Sequence, residues 1–385
     1  MYVTRPLSLY KRNPAALSQP LLEGPNSGYL VIFDEAAQTY NCFGCKNSRI
    51  KHLPFPQNKN LTVTYSTGEN SHDYDKVIFI PVLNHPLSDN LYYVIRRQGK
   101  HQGKASTSSK EEDMGTCFCC NYVKDVKPSP MDPYNIYQQF EIIKRSHGFQ
   151  AKSTASDGFP PEFLRRKGWE VYCKTPDNYN LSEALGVNSE LQARLPDFNF
   201  PLSNDSSKSV AVGKWYCPFL FVKEGKELKE QMKKSPFYVM RLEQRWDKVF
   251  SRENGDSGEN SVLVDVFFQT EAAKVAGRDA VWDENQVEDG FLWFESYGGE
   301  GTGTRVGLSM AIVERMRWEQ ERVGWSGGKG RQGRIEKVEE FGGTERWNKF
   351  GCYVLVERFV LTRMDGSLVL TYDYKHTHQI RCKWE

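Results

Sequence analysis

Residues 352–384 read CYVLVERFVLTRMDGSLVLTYDYKHTHQIRCKW, two long runs rich in Val, Leu, Tyr and Phe joined across Asp365-Gly366. An Asp-Gly pair between such runs is the strongest short-range hairpin signal, because the tight turn that matches strand twist needs positive φ at its centre. Strands this long must bury one face against other strands. That requirement commits this part of the chain to antiparallel β structure.

The same vocabulary recurs elsewhere. SVLVDVFFQT (261–270) puts Val262, Val264, Val266 and Phe268 on one face. YLVIF (29–33), LTVTY (61–65), KVIFIPV (76–82) and LYYVIRR (91–97) are short β-branched and aromatic runs between turn formers. Helix signals are few. In DGFPPEFLRRKGW, Pro160 and Pro161 suit a helix start and Gly168 its end. NSELQARL (188–195) and EGKELKEQMKKS (224–235) read as short helices, the second supported by Glu230 four residues before Lys234. MAIVERMRWEQERVGW (310–325) satisfies both periods. Alternation places Ile312, Met316 and Trp318 on one face and Arg315, Arg317, Glu319 and Glu321 on the other, and it is read as a strand.

The expected fold is therefore β-rich (all-β to α+β): two antiparallel β domains, sandwich or barrel-like, with a few short helices. The expected divisions are an extended arm over 1–27 and an N-terminal β-rich domain over 28–222. A connecting helix over 223–235 then leads into a C-terminal antiparallel domain over 236–385.

Charge excludes one class. With 51 Lys+Arg against 49 Asp+Glu there is no basic excess of the kind a dedicated nucleic-acid binder shows. No apolar run approaches the roughly 20 residues that span a bilayer. The opening segment lacks the hydrophobic core of a secretory signal, Tyr2 does not fit myristoylation, and Cys382-Lys383-Trp384-Glu385 does not fit a prenylation box. Nine cysteines without a signal are expected to stay reduced, which points to the cytoplasm.

Five places could carry chemistry. Cys42 and Cys45 form a Cys-x-x-Cys pair, but Cys117, Cys119 and Cys120 lie in an alternating C-F-C-C that offers no second knuckle, so packing thiols and no metal are expected. His376 and His378 share a strand face with Tyr372 and Tyr374. They read as part of an aromatic row or, in an enzyme, as pocket residues for acid–base work. In YGGEGTGTRVGLSMA (297–311) neither the dinucleotide spacing nor the nucleophile elbow is complete, and a hairpin loop is expected. Arg96, Arg97, Lys100 and Lys104, interleaved with glycines, could hold an anion or acidic head group, as could Arg165, Arg166 and Lys167.

Longer phrases carry a resemblance. MYVTRPLSLYK, EGPNSGYLVI, YYVIRRQGKHQGKASTSSKEEDM, GFPPEFLRRKGWEVY, WYCPFLFVKEG and TRVGLSMAIVERMRWEQERVGW together resemble, over nearly the full length, a plant-specific family catalogued as domain of unknown function 1262. The resemblance implies a land-plant origin and an association with stress and immune responses, and it supplies no reaction, cofactor or catalytic residue. The expected function is a non-enzymatic binding or interaction protein, for an unidentified small molecule or protein partner and without cofactor. The alternatives are an enzyme acting on a small plant metabolite in a β-lined pocket and a peripheral binder of anionic lipid. A deep closed pocket lined by the His and Tyr residues would favour the enzyme.

Overall fold

The structure, a computed structural model, describes the chain except residues 21–23, 41–43, 69–70, 118–119, 256–259, 298–302, 328 and 345, together with the side chains of 116, 117, 120, 121 and 329. Strand makes up 47% of the residues and helix 16%, so the chain is β-rich, with several antiparallel sheets and few helices. It divides into two compact units, Met1–Ala184 with Tyr216–Tyr238, and Leu185–Trp215 with Val239–Glu385. Residues 223–235 thus fall inside the first unit, and residues 185–215 belong with the second.

The first unit is built on a seven-stranded antiparallel sheet in the spatial order Phe149–Ser153, Gln139–Lys144, Leu91–Arg96, Ser71–Pro81, Asn60–Gly68, Glu170–Lys174, Arg49–Ile50. The expected strands over 61–65, 76–82 and 91–97 lie side by side at its centre. Their inward residues pack on an aromatic cluster in which the Phe55 and Phe79 rings are 4.6 Å apart and Trp169 stacks on Phe79 at 6.2 Å. Trp169 meets the rule for a buried indole by donating Nε1–H to the Leu164 carbonyl at 2.9 Å.

The start of the segment expected as an extended arm over 1–27 is ordered otherwise. Tyr2–Pro6 is a buried strand paired in parallel with Gly28–Ile32, followed by a helix over Leu7–Arg12. The arm reading rested on Pro and Asn content, but Tyr2 and Val3 have apolar faces to bury. Tyr2 also gives its hydroxyl to the Pro81 carbonyl at 2.8 Å. Gly28 permits the pairing, because a Cβ there would overlap the Tyr2 ring.

The second unit holds the long hairpin. Lys349–Arg363 and Leu368–Trp384 pair antiparallel, and the turn closes with Gly366 at φ +83° and its N–H on the Arg363 carbonyl at 2.9 Å. The sheet continues through Glu271–Val275 and Arg278–Ala280 on one side and through Phe237–Glu253 on the other. Ser261–Gln269 pairs with Gln332–Glu340 as a separate antiparallel ribbon, and its Val262 and Val264 face a core with Trp347 and Phe350, as the alternation required.

The hairpin register shifts twice, between Leu361 and Thr362 near the turn and between Val354 and Leu355 farther along. Val354 faces Ile380 while Leu355 faces His376, which leaves Thr377, His378 and Gln379 outside the register as a bulge.

Residues 310–321 correct the strand reading, for Met310–Glu321 is an α-helix. Its buried positions include Ile312, Met316 and Gln320, spaced four apart, and Arg315 with Glu319. The apparent alternation counted Arg315 and Glu319 as solvent-facing, yet both are buried and bonded to each other, Arg315 donating from Nε to Glu319 Oε1 at 3.1 Å and from Nη2 at 2.5 Å. A charge that finds its partner one helical turn away can lie on an inward stripe.

Candidate functional site

Helix, hairpin and bulge in the second unit converge on one cavity. It has a volume of about 300 Å³ and is lined by Gln192, Gln244, Arg322, Leu355, Glu357, His376 and His378 among others. Glu357 is one of these and is 1% exposed. It stands on the Lys349–Arg363 strand on the same face as Leu355, in register with Tyr374, two residues before His376 on the facing strand.

Three glutamines from three other elements close on this carboxylate. Gln192, on the helix Ser189–Arg194, donates from Nε2 to both oxygens at 2.9 and 3.1 Å. Gln244, from the Phe237–Glu253 strand, donates at 2.7 Å, and Gln320, from the helix Met310–Glu321, at 2.8 Å. Gln244 also donates to the Gln192 carbonyl at 3.1 Å. Its Nε2 is therefore fixed toward acceptors, and its Oε1 is buried without a donor among the described residues.

Burial pushes the Glu357 carboxyl above its ordinary range, and the three amide donors and the nearby Arg322 pull the other way without cancelling it. Arg322 itself is engaged by Glu319 Oε2 at 2.6 Å and by Gln192 Oε1 at 3.3 Å.

His376 completes the chain of contacts. Its Nε2 lies 3.0 Å from Gln320 Oε1. Because Gln320 gives its Nε2 to Glu357, its Oε1 must accept, and this assigns the proton of the imidazole to Nε2. Burial, with His378 adding repulsion, pulls the His376 pKa down to about 3, so the ring is neutral. The cage is poorly built to relay a proton, because the Gln320 amide stands between imidazole and carboxylate, accepting from His376 at Oε1 and donating its own hydrogen to Glu357 from Nε2.

The residues expected from sequence are distributed differently. His376 and His378 both line the cavity, but the bulge leaves His376 buried and His378 exposed, their rings 5.3 Å apart. Tyr372 and Tyr374 do not line it. Tyr372 donates to Glu271 Oε1 at 2.8 Å and packs 5.2 Å from Trp282, while Tyr374 meets Trp325 edge-on at 4.9 Å, the aromatic row that the alternation suggested.

In the first unit, Arg96 is paired with Asp75 and lies over the Phe163 ring at 4.0 Å. Burial lowers the Arg97 guanidinium, and Lys100 and Lys104 belong to a loop bonded back through Gly103 N–H to the Arg96 carbonyl. Arg165 approaches Asp125, and Arg166 bonds Glu162.

Cys42 and Cys119 lie outside the described residues, as do the side chains of Cys117 and Cys120, whose backbones face each other in a short hairpin, and Cys45 is exposed. Among the described residues no group of three or more His, Cys, Asp or Glu is arranged to hold a metal ion. Most of the glycine loop over 297–303 is outside the described residues, but its flanks, Phe291–Ser296 and Thr304–Ser309, do form a hairpin. Ser309 does stand at a strand-to-helix junction, contrary to expectation. With φ −55° and ψ 140° it lacks the strained turn of a nucleophile elbow.

Residues 23–121 match the model of a family described as Protein of unknown function (DUF1262). The match lies within the first unit and is shorter than the near full-length likeness read from the sequence. No curated protein matches the chain. Among solved structures, the crystal structure of Cry35Ab1 is similar at 11% identity, over 86% of this chain and 90% of that one, with a TM-score of 0.48. No helix among the described residues is long and apolar enough to cross a membrane.

The sequence reading missed Glu357 and its glutamines. One signal was available: in CYVLVERFVL, Glu357 falls on the same strand face as Tyr353, Leu355 and Phe359. Nothing in sequence pointed to Gln192, Gln244 or Gln320.

Proposed function

We propose that the second unit is a binding module for a small polar molecule that donates hydrogen bonds, a polyol, sugar or amine, held in the Glu357 cavity. The observation that carries the proposal is the Gln244 Oε1, buried beside Glu357 without a donor among the described residues. An unsatisfied buried acceptor costs on the order of 1–3 kcal/mol, and a ligand donor would remove that cost. Glu357 receives only neutral amides and can accept further, and the volume of about 300 Å³ suits a ligand at the small end of the usual range. The intervening Gln320 amide favours recognition over acid–base catalysis. This reading keeps the binding role expected from the sequence, in the cytoplasm and in stress or immune responses, and attaches it to a defined cavity.

Thermal-shift measurements with monosaccharides, polyols and small amines test it, since a ligand at one hundred times its Kd adds about 2.7 kcal/mol to apparent stability. At least one class should raise the melting temperature of the native chain and leave Glu357→Gln unmoved. No shift with any class, or equal shifts in the variant, would overturn the proposal.

A further inference from the structure

The first unit contains another cavity. Its volume is about 480 Å³, and its inner wall is apolar, with Leu7, Tyr10, Ala37 and Ile50 all buried. Four cationic or titratable basic residues also line it, Lys11, Arg49, Lys51 and His52, and no carboxylate does so among the described residues. In a chain with 51 basic and 49 acidic residues, such one-sided lining is not the average surface.

The basic groups differ in how far they are committed. Arg49 is paired with Glu170 at 2.5 Å, and Lys11 Nζ donates to the Ala37 carbonyl at 2.6 Å, which holds its charge at the mouth without neutralising it. Lys51 and His52 make no ion pair among the described residues. The His52 imidazole is pulled down by burial and then by the neighbouring cations Lys144, Lys11 and Lys51.

We propose that this cavity binds an amphipathic anion, a small molecule with an apolar body and a single carboxylate or phosphate head. The body removes from water the wall formed by the helix Leu7–Arg12 and the Arg49–Ile50 strand, and the head is placed against Lys51, His52 and Lys11. An apolar pocket with a few convergent polar groups is the usual form of a small-molecule site, and the positive charge selects the head group. This site is separate from the Glu357 cavity and uses neither its residues nor its ligand class. It is also not the Arg96–Lys104 cluster, where Arg96 is taken up by Asp75.

Isothermal titration calorimetry of the full chain with sodium decanoate, decyl phosphate, decanol and decylamine, each below its micelle concentration, tests the proposal. Decanoate or decyl phosphate should bind at one site. Decanol should bind about tenfold more weakly and decylamine not measurably, and the anion affinity should fall as salt rises. The stronger of the two anions identifies the head group. Lys51→Glu combined with His52→Glu changes two exposed side chains and should weaken anion binding about tenfold with the circular dichroism spectrum unchanged. Leu17→Asp, at a half-buried wall position, should weaken anion and alcohol alike. Equal binding of decanoate and decanol, or unchanged decanoate affinity in the double variant, would overturn the proposal. Loss of decanoate binding in Glu357→Gln would show instead that the anion occupies the other cavity.

Discussion

Replacing His376 by glutamine should remove a specific pH dependence of stability. His376 is 1% exposed, and its pKa is pulled down to about 3, against about 6.5 for an unfolded histidine. The folded value lies below the unfolded one, so the unfolded chain binds the proton more tightly. The stability conferred by the neutral ring is complete above pH 6.5 and is lost as pH falls from there toward 3. At pH 5 the folded ring is still neutral while the unfolded one is protonated. The loss is then about 1.5 pH units at 1.36 kcal/mol each, or about 2 kcal/mol.

The introduced glutamine keeps an amide N–H for Gln320 Oε1 and cannot titrate. Glu357, whose carboxyl is raised, works in the opposite sense, since its protonation as pH falls favours the folded state, but it is common to both proteins and cancels in their difference. Urea denaturation of both proteins at pH 7, 6 and 5, with m-values compared at each pH, measures that difference. The gap between native and variant stability should shift by about 2 kcal/mol between pH 7 and 5, against the native chain at low pH. A gap that stays flat, or an NMR titration showing His376 protonated at pH 5 in the folded chain, would refute the buried neutral imidazole.

Two further perturbations test the framework. Gly28→Ala places a methyl against the Tyr2 ring and should cost about 1–3 kcal/mol by overpacking, while Gly28→Ala with Tyr2→Leu should recover part of it; melting temperatures decide, and a neutral single variant would contradict the close strand pairing. Glu319→Gln takes a carboxylate from the fully buried Arg315 and from Arg322 and should cost about 3–5 kcal/mol, whereas Arg315→Met with Glu319→Leu should cost less than the single change. Additive costs in a double-mutant cycle would mean that the two side chains do not act as a pair.

Local chemistry by itself determined the strand-rich class, the Asp365-Gly366 turn, the short helices near 162, 189 and 228, and the inward face of Val262 and Val264. Each follows from a period of two, a proline or glycine at a fixed offset, or a turn that needs positive φ, and all of these act within a few residues. Burial across the fold decided the rest. It made a helix of 310–321, where two charges could face inward because they met each other. It drew Tyr2–Pro6 into a sheet, and it slipped the hairpin register at Thr377–Gln379, where His376 is buried and His378 exposed. The cage around Glu357 depends on partners 165, 113 and 37 residues away, Gln192, Gln244 and Gln320. No periodicity links residues so far apart, because what gathers them is the need to satisfy a carboxylate that the surrounding strands had already taken out of water.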